Sequence, residues 1–147
     1  MMKVAEWIDR FPGHIVTIHP ESSLEQAVDQ LLSRACVQDI YVVSGEDLVL
    51  GHLSHKRLAS LFLAEHRPIH TRRQIMERVV FGSAEELMEG EFVFARPDEE
   101  LDDVLCRFVD HDLQDMVVLD AQGGVAGGIN LNTVLRELRK RSDVIFD

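Results

Sequence analysis

Positive charge is scarce in this chain: 15 Lys and Arg stand against 26 Asp and Glu, a formal net charge of −11. Such a balance argues against the broad basic face that a phosphodiester backbone needs, and so against general nucleic-acid binding. A small phosphorylated ligand is not excluded, because two or three local cations or helix-end amides can hold it. Cysteine is equally sparse. Cys36 and Cys106 are the only two; they form no CxxC pair, and each reads as a small buried residue rather than a ligand or nucleophile. Long apolar runs are missing as well. The longest, Leu58 to Ala64, is far short of the roughly 20 residues that cross a bilayer, so no membrane insertion is expected. The first residues, MMKVAEWIDRF, carry acids where a signal peptide has its apolar core, and the cytoplasm is the expected compartment.

Catalytic signatures are absent too. There is no GxSxG, P-loop, HExxH or paired-carboxylate arrangement, so neither a catalytic residue nor an enzyme is expected. Seven histidines are present, but their spacing builds no metal site. His66 and His70 stand four apart with the helix-breaking Pro68 between them, and His52 and His55 flank a strand–helix junction.

What the chain does contain is a repeat. Ile15-Val16, Pro20 and Leu24 recur 77 residues later as Phe92-Val93, Pro97 and Leu101. Gln38-Asp39-Ile40-Tyr41-Val42-Val43 then matches Gln114-Asp115-Met116-Val117-Val118-Leu119 at an offset of 76, as Gly51 matches Gly127. Each copy begins with a short β run, HIVTI or FVFA, ended by proline. An amphipathic helix follows. Leu24, Ala27, Val28, Leu31 and Leu32 form its apolar stripe in one copy, and Leu101, Val104, Leu105, Phe108 and Val109 in the other. Ser22 or Ser23, and Asp98, are the expected N-caps. A buried strand, IYVV or MVVL, then a turn and a second strand lead to a glycine-containing corner and a closing helix, Ser54–Ala64 or Asn130–Arg141.

The pattern is thus an α/β (α+β) fold of two β-α-β-β-α repeats, each preceded by a helical lead-in, AEWID or AEELM. Repeat one spans 1–64, a linker helix 65–83 and repeat two 84–147. One unit of this size buries too little to stand alone. The two are expected to pack about a pseudo-twofold axis. In the linker, Arg67, Arg72, Arg73 and Arg78 form a local basic group, read either as a solvated face or as an anion or partner site.

Gly51-His52-Leu53-Ser54 and Gly127-Gly128-Ile129-Asn130, each after an apolar strand and a Gly/Asp-containing turn, resemble the last corner of the CBS (cystathionine β-synthase) domain. Two copies in register resemble a CBS pair, or Bateman module. The resemblance implies a non-catalytic regulatory module that binds AMP, ADP, ATP or a related adenosyl ligand in an inter-repeat cleft, associates as a homodimer and controls a partner enzyme, transporter or channel. The alternative is a degenerate pair that acts only in dimerisation or docking.

A helix that starts directly after a strand offers unpaired amides and the positive end of its dipole to an anion, an effect of about 0.3–1 kcal/mol at exposed sites. Ser54 and Asn130 are the candidate ligand-binding caps, and His19 and Arg96 lie where the family's first strand faces the cleft. The family's nucleotide sites usually place Asp three residues after the cap. Arg57 and Thr133 stand there instead, and neither accepts a ribose diol as a carboxylate does. A hydrogen bond to a charged group is worth about 1.5–3 kcal/mol. Arg57 is read either as a partner for extra phosphate or as a solvent-facing side chain. The Ser54 corner, with Lys56 and Arg57, is the more cationic of the two.

Overall fold

The computed structural model describes residues 2–13, 15–34, 38–63 and 82–145, apart from the side chains of Phe62 and of 141–145. The linker helix expected over 65–83 falls almost wholly outside them, as does Cys36. Two three-stranded sheets and six helices are present among the described residues. The chain divides into two compact units, each taken in turn below.

The first, Val16–Phe92, holds β1 (Val16–Ile18), α2 (Leu24–Leu32), β2 (Asp39–Val43), β3 (Val49–Ser54), α3 (His55–Leu63) and α4 (Ala84–Leu87). β2 is the central strand, parallel to β1 and antiparallel to β3. It is buried because it is covered on both faces, which explains its unbroken apolar run. Ser23 caps α2 reciprocally with Gln26: Ser23 Oγ accepts the Gln26 amide at 3.1 Å, and Gln26 Oε1 accepts the Ser23 amide at 2.8 Å. The core joins Val16, Ile18, Leu24, Ala27, Ile40, Val42, Leu53, Leu58 and Leu61 to Ala84 and Leu87 of the second lead-in.

The second unit is Met1–Ile15 with Val93–Asp147. It holds α1 (Val4–Arg10), β4 (Phe94–Ala95), α5 (Leu101–Asp110), β5 (Asp115–Leu119), β6 (Val125–Asn130) and α6 (Leu131–Ile145). Its sheet repeats the first one, with β4 parallel and β6 antiparallel to β5. Even the register shift recurs, between Val42 and Val43 and between Val118 and Leu119. Val4 and Trp7 of the first lead-in complete the core of Ala95, Leu101, Val104, Phe108, Met116, Val118, Ile129 and Val134.

Each lead-in therefore packs on the sheet of the other repeat. The attachment is alike in both units. The Ala84 and Glu85 amides donate to the carbonyls of Ser22 and Pro20, at 2.7 and 3.0 Å. Those of Val4 and Ala5 donate to Glu99 and Pro97, both at 2.9 Å. This swap has no signature in residue spacing, because either partner satisfies the same apolar pattern.

Three expectations need correction. The N-cap of α5 is Glu100, not Asp98; the Met2 carbonyl takes the Leu101 amide at 3.0 Å, so the lead-in backbone does part of what a cap side chain does. Cys106 is exposed, on the outer face of α5. Leu32 and Val109 are 76% and 78% exposed. At eight residues from the first stripe position, each is rotated about 80° off the stripe.

Candidate functional site

The β3–α3 corner begins with Ser54, paired across the sheet with Asp39. His55, the first residue of α3, donates its amide to the Gln38 carbonyl at 2.8 Å. Ser54 Oγ accepts the Arg57 amide at 3.1 Å, so Ser54 caps the helix as expected. The β6–α6 corner has the same wiring. The Leu131 amide donates to the Gln114 carbonyl at 2.9 Å, and Asn130 Oδ1 accepts the Thr133 amide at 3.2 Å. Two of the first three helix amides at each corner are thus already bound within the fold. A ligand meets a partly satisfied helix end and needs side-chain contacts as well.

Those side chains differ. The Arg57 Nε donates to the Leu87 carbonyl at 3.2 Å, tying α3 to the C-terminal end of α4. Its Nη groups have no hydrogen bond or ion pair among the described residues. Asn130 is engaged at both ends of its amide, since Nδ2 donates to Asp115 Oδ1 at 2.8 Å. Thr133 follows on α6 and supplies its amide to that cap.

His19 and Arg96 lie just past the ends of β1 and β4 and are exposed. Ile18 pairs with Val42 and Ser54 with Asp39. With about 3.3 Å of rise per residue, His19 sits at the opposite end of its sheet from Ser54. Arg96 and Asn130 are separated in the same way, since Ala95 pairs with Val118 and Asn130 with Asp115. Within a unit, therefore, the strand-end residue and the corner do not converge. Arg96 Nη1 donates to the Asp120 carbonyl at 2.8 Å, and its guanidinium lies 5.3 Å from the centroid of the Phe94 ring.

One cluster was not anticipated from the sequence. His52 Nδ1 faces both Asp39 oxygens, at 2.8 and 3.0 Å, and Nε2 lies 3.7 Å from Glu89 Oε2. The rings of Tyr41 and Phe92 flank the imidazole at centroid distances of 6.3 and 6.0 Å. Burial favours the neutral ring, but the Asp39 hydrogen bond and charge, the Glu89 charge and the Glu91 backbone outweigh it, and the His52 pKa is raised above 6.5. The second copy hid this cluster, because Gly128 occupies the place of His52. Among the described residues no group of three His, Cys, Asp or Glu side chains is arranged to hold a metal ion. No described helix is long and apolar enough to cross a membrane.

The same architecture occurs in proteins of known structure. The AMP complex of CBSX2 superposes with a TM-score of 0.73 at 20% identity, covering 97% of this chain and 99% of that one. A CBS domain-containing protein from Thermotoga maritima gives 0.72 at 20% identity, covering 95% of both chains. The CBS domain pair of protein MJ0100, solved with 5′-methylthioadenosine and S-adenosyl-L-methionine, gives 0.71 at 16% identity, covering 96% and 98%. Among curated proteins nothing matches. The CBS domain pattern itself matches twice, over residues 8–64 and 84–140. With two copies of that domain in tandem, this chain belongs to the CBS domain family.

Proposed function

We propose that the chain is a non-catalytic, cytoplasmic regulatory CBS pair that seats the phosphate of an adenosine-containing ligand at the Ser54 corner and transmits its occupancy to a partner enzyme, transporter or channel. The observation that carries this reading is the inequality of two corners with one wiring. Ser54 Oγ accepts the Arg57 amide and keeps its own proton to donate, and Lys56 and Arg57 follow within three residues. At the other corner the Asn130 amide is held at both ends, its Nδ2 donating to Asp115 Oδ1 at 2.8 Å, and no Lys or Arg follows within three residues. Adenosine derivatives bound to CBSX2 and to the MJ0100 pair support the ligand class. The missing carboxylate at Arg57 favours a polyphosphate over AMP.

Calorimetry with ATP and AMP on the wild type and on Arg57→Asp tests this. ATP should bind the wild type more tightly, and the substitution should shift preference towards AMP. Equal binding of both nucleotides by both forms would overturn the role of Arg57.

A second reading has its own support. Neither Arg57 nor Thr133 supplies a ribose acceptor, and two of the first three amides at each corner are already bound. A degenerate pair that only dimerises or docks would show no thermal shift with AMP, ADP, ATP or S-adenosylmethionine. Homodimerisation belongs to both readings. Leu135 and Leu138 of α6 are 54% and 43% exposed and support it, whereas Leu58 and Leu61 of α3 are buried in their own core.

A further inference from the structure

We propose that His52 is a proton-operated clasp, holding the stretch Met88–Phe92 against the outer edge of β3 while its ring is charged and loosening that stretch as the ring loses its proton. The stretch is bound there by backbone as well as side chain. The His52 amide donates to the Glu89 carbonyl at 3.0 Å, and the Glu89 amide donates back to His52 at 2.9 Å. The imidazole links the two sides of this junction. From β2, Asp39 and Tyr41 face it; from the lead-in side, the Glu89 carboxylate, the Glu91 backbone and the Phe92 ring do.

The two ring nitrogens do not lose equally on deprotonation. A charged imidazole donates from both. The neutral ring keeps its single proton at Nδ1, where both Asp39 oxygens lie within 3.0 Å. Nε2 then presents a lone pair to Glu89 Oε2, 3.7 Å away. Attraction to the lead-in becomes repulsion, while the anchor inside the sheet survives. The sign follows from linkage. Because the folded form holds the proton more tightly than a free histidine, with a pKa above 6.5, the stabilisation is complete below that value and is lost as pH rises through the folded midpoint.

The other unit serves as an internal control. Gly128 replaces His52, and Ile15 replaces Phe92. A methyl group at Gly128 would come within 2.5 Å of Ile15 Cδ1, so that junction is apolar and carries nothing to titrate at this position. The clasp is confined to one lead-in and requires no ligand.

The full-length chain tests this by NMR. The His52 ring should titrate above 6.5, and the midpoint should fall in Glu89→Gln. Exchange protection of the Glu89 and His52 amides, corrected for intrinsic rates, should drop as pH is raised through that midpoint, by at most about tenfold per pH unit. His52→Gln should abolish the dependence, while the Gly128 edge stays constant in all forms. A wild-type midpoint at or below 6.5 would overturn the proposal. So would protection at Glu89 that is flat across the midpoint, or that follows the same curve in His52→Gln. If His52→Gln does not fold, the wild-type titration and the surface change at Glu89 still decide.

Discussion

A methyl group is enough to probe the edge of each sheet. At Gly51 an added Cβ would meet the Glu89 carbonyl oxygen at 2.5 Å and Met88 Sδ at 2.7 Å. At Gly128 it would meet only the Ile15 side chain that closely. Backbone yields less readily than the end of a flexible side chain. Gly51→Ala should therefore cost about 1–3 kcal/mol in urea unfolding and Gly128→Ala less; equal losses would contradict the close approach of Met88–Glu89. A second residue-scale test lies at Glu99. Its hydrogen bond to Arg107, with Oε1 2.6 Å from Nη2, holds its carboxyl below the usual glutamate range. The stability this gives is present above the unfolded pKa and lost as pH falls through the depressed folded value. Glu99→Gln should thus flatten the acid limb of the unfolding midpoint between neutral pH and pH 3, and an unchanged limb would remove Glu99 from the account. Single residues of this kind were the least legible in the sequence. His52 reads as a strand residue beside a cap until Asp39 and Glu89 are seen around it, and Cys106 is exposed although its residue type favours burial.

Whole elements were far more legible, because periodicity reports one face of a helix or strand regardless of what covers it. The stripes Leu24-Ala27-Val28-Leu31 and Leu101-Val104-Leu105-Phe108 are buried or partly buried. Leu32 and Val109 are exposed because angle, not hydrophobicity, decides membership. The corners were legible as caps but not as hydrogen-bond networks. The structure separates two caps that look equivalent in sequence. Removing the Ser54 hydroxyl takes away one acceptor, for a loss of about 0.5–2 kcal/mol. Removing the Asn130 amide also deprives Asp115 of its 2.8 Å donor, leaving a partly buried carboxylate acceptor less satisfied. Asn130→Ala should lower the thermal midpoint more than Ser54→Ala; the reverse order would show that the Asp115 contact contributes nothing.

At the scale of the whole molecule, a repeat in sequence and a folded unit are different pieces of chain. Residues 1–63 lack the Ala84–Leu87 helix that completes their core, whereas Val16–Phe92 is a continuous stretch containing one entire compact unit. A fragment of residues 16–92 should unfold with a sharper, more cooperative transition by circular dichroism than a fragment of residues 1–63. Equal behaviour would mean that the lead-in is dispensable to its adopted sheet. Sequence could not show this division, since a repeat announces where its copies begin and says nothing of which copy each segment joins. The exchange of lead-ins has a further consequence for how such a chain can arise. Two identical single repeats that traded their first helices would form a domain-swapped dimer, and joining them end to end would preserve every contact within each unit. Duplication would then have created no new packing. It would have fixed, in one polypeptide, an association that previously depended on concentration, and freed the two halves to diverge, one acquiring a histidine at its sheet edge where the other has glycine.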